Sequence, residues 1–420
     1  MSAYEVRDEL FLWWLQRPRA PVLIGTLRLV RALQGVSLQY APGWVRAGFP
    51  LSEDLPLVET EQLPSARETA AGAVEDARPD RWGERVIRFI EKPPRLSILE
   101  YLYYAGDERF GAMGVSTSVQ SYVPAPSRPM PRLADVEAIH EAVRKVLANE
   151  PVPEEQRRLI LPGGTLGGAR PKALIEIDGS QWVVKFSEPG EDLDIPLLEH
   201  ACMRLAEKAA IECADTRAIR LHKGHAVAVK RFDRRRRGTS VERLHAQTAY
   251  VALRAEGSEH GYPELAQLLR RRGVVEGGVA KRQMQELFRR MVFNILIDNT
   301  DDHEKNHALL MADDLNLLLA PAFDVVPTAQ GLGYQQLRVG KDAADSTASN
   351  ALSEAAQFGL RPAQARQEAA RVAKVVDKWK DHFRAAGASD HDLDRLARYI
   401  DRDFLVAQRR ALRSPGTIVR

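Results

Sequence analysis

From Met284 the apolar side chains fall at Met284, Leu287, Phe288, Met291, Val292, Ile295 and Leu296. That i, i+3, i+4, i+7 spacing predicts one buried helical face. The pattern stops at Asn299-Thr-Asp-Asp-His-Glu-Lys-Asn306, eight polar residues in a row. Two short apolar runs follow, His307 to Met311 and Leu315 to Ala320, separated by Ala-Asp-Asp, which predicts a hairpin. Pro321 ends its second strand, and Asp324 comes next in Pro-Ala-Phe-Asp-Val. The predicted order is buried helix, polar loop, hairpin, second acid.

Upstream, Leu161-Pro-Gly-Gly-Thr-Leu-Gly-Gly-Ala-Arg-Pro-Lys172 places four glycines in six residues. Ala173 to Ile177 and Gln181 to Phe186 then flank Asp178-Gly179, the strongest short hairpin signal. A helix from about Pro196 to Ala210 and a strand from Ala226 to Phe232 follow, and from Val241 onward the pattern is mostly helical. One late helix is marked by Val372, Val375, Val376, Trp379 and Phe383. Another is marked by Leu393, Leu396, Ala397, Ile400 and Phe404, started by the Ser389-x-x-Asp capping pattern.

Toward the N-terminus, Pro21 to Leu27 and Val36 to Tyr40 read as strands among loops rich in Pro and charge. Arg78-Pro-Asp-Arg-Trp-Gly-Glu-Arg85 opens a helix with Pro at its first position. Val123-Pro-Ala-Pro-Ser-Arg-Pro-Met-Pro131 is held extended by its X-Pro pairs and reads as a linker. Val136, Ile139, His140 and Val143 then mark one side of a helix. These signals divide the chain into an accessory α+β domain (1–122), a linker (123–131), a nucleotide-binding lobe (132–235) and a helical lobe (236–420).

Composition narrows this picture. A length of 420 residues allows two or three domains, and 45% hydrophobic with 28% charged residues fits a soluble globular protein. The net charge of +3, from 60 basic and 57 acidic residues, gives no argument for nucleic acid. Arg231 and Arg234 to Arg237 form a basic cluster, read as a solvated face or phosphate contact rather than a nucleic-acid groove. Cys202 and Cys213 cannot make a disulfide framework or a four-cysteine metal site, so they read as core thiols in a reducing compartment. The apolar run Phe11 to Leu15 is too short and too acidic in its flank for a signal peptide or membrane span. A cytoplasmic location is the expectation.

The chemistry lies in the polar loop. Asp301, Asn306 and Asp324 are the residue types of a protein-kinase phosphoryl-transfer site: a carboxylate for the substrate hydroxyl proton, an Asn five residues on for Mg²⁺, and an Asp beyond the hairpin for Mg²⁺. A lone Asp-x-His would read as an ordinary loop cap, but this spacing behind a buried helix favours chemistry. The glycine cluster suits a phosphate-covering loop because residues without a Cβ let backbone N–H groups approach closely. Lys185, on the strand after it, is placed to hold phosphates. Glu199 either pairs with Lys185 or complements a helix dipole as a first-turn acid. The strand from Ala226 to Phe232 would be the hinge that offers backbone groups to an adenine.

Taken together, Thr165-Leu-Gly-Gly-Ala-Arg-Pro-Lys172, Val184-Lys185, Glu199 with Met203-Arg-Leu-Ala206, Lys230-Arg-Phe-Asp-Arg234, Asn299-Thr-Asp-Asp-His-Glu-Lys-Asn306 and Phe323-Asp324 resemble the HipA-like serine/threonine kinases, toxins of type II toxin–antitoxin modules. The resemblance implies a bilobal, protein-kinase-like α+β fold with an N-terminal accessory domain and a largely helical C-terminal lobe. It implies ATP and Mg²⁺ as cofactors, Asp301 as proton acceptor, Asn306 and Asp324 as metal ligands, and Lys185 on the ATP phosphates. Gly167, Gly168, Ala169, Arg170, Lys172, Lys230, Phe232, His303, Lys305, Asn306 and Asp324 would line the nucleotide site, and Thr165 would be autophosphorylated. It further implies a protein substrate, such as an aminoacyl-tRNA synthetase, and a small DNA-binding antitoxin through which alone DNA is reached.

There are departures from the family pattern. Lys230 stands in place of a glutamate, and Thr165 in place of a serine. Relative to ordinary kinases, Thr300 replaces the Arg before the catalytic Asp and Val325 replaces the Gly after Asp324, so activation-loop control of the usual kind is not expected. Two other readings stay open: a kinase-fold enzyme acting on a small molecule or lipid head group, and a non-catalytic ATP-binding subunit associated with nucleic acid through Arg231 and Arg234 to Arg237. The intact set of Lys185, Asp301, Asn306 and Asp324 argues against the last.

Overall fold

A computed structural model describes residues 4–126, 128–161, 168, 170–238 and 240–414. The chain falls into two compact units, one of residues 1–186 and 230–256, the other of residues 187–229 and 257–420.

In the first unit, strands Gly35–Tyr40, Val22–Val30, Glu9–Trp14 and Met113–Ser116 lie side by side in that order, antiparallel. Alternate residues Leu10, Leu12, Val36, Leu38 and Tyr40 are buried, as period-2 burial of one face requires. Leu99 and Leu102 of helix Ile98–Tyr104 belong to the same core. The run Phe11 to Leu15 is thus mostly a core strand. Helix Arg81–Val86 begins later than the sequence suggests: Pro79 stays outside it, and Asp80 is the N-cap, accepting from Gly83 N at 2.8 Å.

The Asp-Gly hairpin is present as expected. Strands Lys172–Ile177 and Ser180–Lys185 pair antiparallel, with Asp178 and Gly179 both left-handed (φ 52° and 69°), as a two-residue turn of this hand requires. Pro131, at the end of the proline-rich stretch, is anchored to this hairpin, its carbonyl accepting from Glu176 N at 2.7 Å.

The basic cluster departs from the sequence reading. Arg231 and Arg234 are not a solvated face: both are buried around the fully buried Asp233. The Asp233 carboxylate accepts from Arg231 Nε (2.9 Å) and Nη2 (2.7 Å), Arg234 Nη1 (2.8 Å) and Gly111 N (2.8 Å). The same guanidiniums donate to the carbonyls of Glu108 and Arg109. Arg235 and Arg237 pair with Glu242 across the hairpin of Arg234–Arg237 and Ser240–Arg243. The charges of Arg231 and Arg234 are spent on internal carboxylates and carbonyls and are not offered to phosphates, whereas Arg236 and Arg237 are exposed.

The second unit is mainly helical. Helix Ile195–Lys208 precedes the hairpin of Thr216–Arg220 with His225–Lys230. Helices Tyr262–Arg272 and Pro362–Val376 both pack against Val279–Leu296. The late helices are more divided than their apolar stripes indicate. Val372 and Val376 lie on Pro362–Val376, whereas Trp379 and Phe383 lie on Trp379–Ala385. At the break the Asp377 carboxylate takes Arg409 and Arg413, both at 2.9 Å. Asp390–Ile400 starts at the Ser389 capping box as expected, but Phe404 belongs to the next helix, Asp403–Arg413, and is exposed. Both cysteines are free; burial pushes the Cys213 thiol up to about 12 and that of Cys202 upward as well. Among the described residues no helix is long and apolar enough to cross a membrane.

Replacing Asp233 by Ala leaves two buried guanidiniums without their counter-charge, a change that costs roughly 3–5 kcal/mol; equilibrium denaturation should show a loss of that size. Burial alone would raise the Asp233 pKa, but Arg231 and Arg234 bring it down from 3.8 to about 2. A depressed folded value means that the stabilisation is full above the unfolded pKa and is lost as pH falls from 3.8 through about 2. Acid unfolding followed by circular dichroism should therefore lose this component in Asp233→Asn.

Candidate active site

Helix Val279–Leu296 ends inside the second unit, so its last carbonyls need partners. Asp298 turns left-handed (φ 61°), Asn299 N donates to Asn294 O (2.9 Å), and Asp298 N donates to Ile295 O (3.4 Å). These are the two bonds of a Schellman motif, with Asp where Gly is usual. The Asp298 side chain is held in turn by Arg402 Nη2 (3.0 Å) and Gly331 N (3.2 Å), although burial still keeps its carboxyl above the ordinary value.

The loop that leaves this cap is stitched to the segment beyond Asp324. Thr328 donates to Asp298 O through its N (3.0 Å) and its Oγ1 (2.9 Å), and the Thr300 and Thr328 hydroxyls lie 2.6 Å apart. Adjacent acids then take opposite environments: Asp301 is exposed and Asp302 is buried. Asn306, also buried, donates from Nδ2 to the Asp301 carbonyl at 3.3 Å and from its backbone N to His303 O at 2.8 Å. Asp301 and Asn306 are thus brought together, as the spacing suggested. His303 is half-buried with Nδ1 unpartnered, and Lys305 is exposed.

Asp302 accepts from His307 Nε2 at 3.1 and 3.2 Å on its two oxygens, and from the Tyr262 hydroxyl. Tyr262 accepts in turn from Asn294 Nδ2 at 3.0 Å. Burial would raise the Asp302 pKa, but His307 and the Tyr262 hydroxyl hold its carboxyl below the ordinary value.

Strands Ala308–Met311 and Leu317–Leu319 form the expected hairpin and return the chain to Asp324. On the way, Ala322 N donates to Glu212 O (2.7 Å), Ala214 N donates to Ala322 O (2.9 Å), and the buried Arg290 donates to Ala320 O (2.8 Å). Asp324 is half-buried and left-handed (φ 59°). Its neighbours Phe323 and Val325 line the same small cavity as Asn306, Asp302 and His307.

In the first unit, Lys172 and Lys185 face each other across the hairpin, and both are buried. Like charges directly opposite destabilise a strand pair, and Asp80 Oδ2 meets Lys172 Nζ at 2.7 Å. The Lys172 carbonyl accepts from Trp82 Nε1 at 2.7 Å. Gly168 is left-handed (φ 94°), with its carbonyl 3.5 Å from Lys172 Nζ, and Arg170 lies in a bend. Thr165, Gly167 and Ala169 lie outside the described residues. Between the expected adenine residues Lys230 and Phe232, Arg231 N donates to Gln181 O (3.0 Å). Lys230 Nζ stands 6.0 Å from the centroid of the Trp182 ring, and the Phe232 and Phe110 rings meet at 6.1 Å. In the second unit, Glu199 is buried and lies beyond the first turn of helix Ile195–Lys208, so it is not the first-turn acid of the simpler reading.

Sequence reasoning missed Asp80, Tyr262, Asn294, Asp298, Asp302 and Thr328. Only Asp302 carried a signal, and beside Asp301 it was ambiguous.

A left-handed non-Gly residue costs about 1–2 kcal/mol unless, like Asp or Asn, it can bond locally. Asp324→Ala should therefore lower the unfolding free energy by about 1 kcal/mol more than Asp324→Asn, measured by denaturation without nucleotide.

The family model of the HipA-like C-terminal domain matches residues 164–379, 216 of the 420. A Sinorhizobium fredii protein named "Putative kinase Y4dM" is 28% identical over 251 residues, 56% of each chain, so this chain spans about half the length of that relative. HipA of Shewanella oneidensis MR-1, solved with HipB and its operator DNA, superposes with a TM-score of 0.64 at 20% identity, covering 95% of this chain and 96% of that one. The Helicobacter pylori proinflammatory kinase CtkA gives a TM-score of 0.44 at 14% identity, over 59% of this chain and 91% of its own. The fold is the α+β, kinase-like fold of HipA. With more than half of its length matched by that family's model, the chain belongs to the HipA-like family.

Proposed function

We propose that this protein is a HipA-like serine/threonine protein kinase that transfers the ATP γ-phosphoryl group to a protein hydroxyl. The observation that carries the reading is the contrast within one hydrogen-bonded loop: Asp301 is exposed, while Asn306 is buried and bonded to the Asp301 carbonyl. An exposed carboxylate on a fixed backbone can meet an incoming hydroxyl and take its proton.

The donor set fits Mg²⁺, which takes oxygen ligands and is commonly held by one or two side chains plus phosphates. The Asn306 amide oxygen and the Asp324 carboxylate supply that kind of pair. Among the described residues there is no group of three or more His, Cys, Asp or Glu that would form a separate all-protein metal cage. When bound, MgATP supplies the transferable phosphoryl group and neutralises charge on it. Lys185 is assigned to the phosphates with Glu199 as its counter-charge, and Gly167 to Lys172, Lys230, Phe232, His303 and Lys305 to the rest of the nucleotide. The domain limits at 122, 131 and 235 belong to the same reading.

The HipA of Shewanella is found with HipB and operator DNA. By analogy we assign this chain a small DNA-binding antitoxin as partner, and a translation component such as an aminoacyl-tRNA synthetase as the class of target. Autophosphorylation at Thr165 would add about −1.5 to −2 charges to the glycine-rich loop and oppose phosphate binding there.

Asp301→Ala should reduce phosphoryl transfer at least ~100-fold with MgATP affinity nearly unchanged, whereas Asp324→Asn should weaken MgATP binding as well. Radiolabelled ATP with protein and with metabolite substrates, plus calorimetry, reads both effects. Wild-type turnover in Asp301→Ala would refute the catalytic loop, and transfer to metabolites alone would refute a protein substrate.

Mass spectrometry after incubation with MgATP should find phosphate on Thr165 in the wild type and none in Asp301→Ala. Thr165→Asp should lower ATP binding; unchanged binding and turnover would show that charge at this point has no control.

A further inference from the structure

We propose that Asp302 is a positioning residue of the active site, acting through a buried chain of side chains that clamps the loop carrying Asp301 and Asn306. The inference rests on the kinase reading of that loop.

Three observations converge on it. First, the two successive acids have divided roles: Asp301 faces solvent, and Asp302 is 3% exposed. A carboxylate taken out of water is retained only when its oxygens are bonded. Here the bonds run inward, from Tyr262 on one oxygen and from His307 on both.

Second, the chain has a fixed direction. Asn294 Nδ2 can only donate, so Tyr262 accepts from it and passes its own hydroxyl hydrogen to Asp302. On the other side the carboxylate can only accept, so His307 carries its proton on Nε2; its Nδ1 is buried without a partner. Tyr262 and His307 also meet ring to ring, with centroids 5.3 Å apart at 73°.

Third, the anchors are rigid and the clamped segment is short. Tyr262 opens helix Tyr262–Arg272 and Asn294 lies in the last turns of Val279–Leu296, two helices packed on each other. His307 directly precedes strand Ala308–Met311. Asp302 and His307 are therefore a closed clasp around residues 303–306, and Asn306 lies inside it. The bond from Asn306 N to His303 O lies within that clasp, and the bond from Asn306 Nδ2 to Asp301 O ties it to the residue just before. Opening the clasp frees Asn306 and Asp301 together while leaving both in place chemically.

An ordinary buried network would support the fold alone, so the test must separate positioning from stability. Tyr262→Phe keeps the ring against His307 and removes only the hydroxyl; Asp302→Asn keeps the shape and removes the charge. For full-length protein we would measure kcat, the MgATP dissociation constant, the melting temperature and amide hydrogen exchange over residues 301–307, with Asp301→Asn as control. The expected result is a kcat lowered ~10- to 100-fold, a MgATP dissociation constant raised by a smaller factor because Asn306 is loosened with the loop, and exchange at 303–307 faster by ~10-fold while helix Val279–Leu296 keeps its protection. Unchanged kcat and unchanged loop exchange in Tyr262→Phe would overturn the proposal, as would losses that only track the unfolded fraction. If Asp302→Asn does not fold, Tyr262→Phe decides alone. If Asp301→Asn transfers phosphate like the wild type, the kinase reading falls, and the exchange data still decide whether Asp302 orders the loop.

Discussion

A helix that ends in a protein interior must find partners for its last carbonyls, and the second unit is organised around that requirement at Leu296. The Schellman bonds at Asn294 and Ile295 reverse the chain at Asp298. With Asp instead of Gly, the reversal needs outside support, and Arg402 and Gly331 supply it. That support reaches forward to the segment beyond Asp324, so the cap, the polar loop and the later segment form one bonded body. The polar loop is thus tied to a helix terminus.

The same rule governs two buried carboxylates, one in each unit: each is retained with donors on both oxygens. Asp233 in the first unit takes four donors, and Asp302 in the second takes two side chains on its two oxygens. The outcomes differ because the surroundings differ. Arg231 and Arg234 consume a basic cluster for architecture. Asp302 is turned inward, while its neighbour Asp301 is exposed. Lys172 follows the same logic at the base of the glycine-rich stretch, where Asp80 answers a charge that faces Lys185 across the hairpin.

Much of this was legible in the sequence where the signal is local. The apolar stripe from Met284 to Leu296, the Asp178-Gly179 turn, the hairpin before Asp324 and the Ser389 cap depend on residues a few positions apart, and each is found. Local signals also failed in characteristic ways. The stripe from Val372 to Phe383 is interrupted at Asp377 by arginines from a later helix. Pro79 precedes its helix because Asp80 is the better cap.

The sequence by itself determined the order of elements and the spacing of Asp301, Asn306 and Asp324, because helical and strand periods and turn chemistry act over short range. It also carried the family, through motifs whose residue types the chemistry demands. What only the tertiary structure decided is which charges are exposed and which are spent internally. Asp301 and Asp302 are the same residue in adjacent positions, and Arg231 and Arg234 look like a surface patch. Their roles are set by Tyr262, His307, Gly111 and Asp233. Several of these lie far off in sequence, and the cost of burying an unanswered charge can be assessed only where the chain has brought them together.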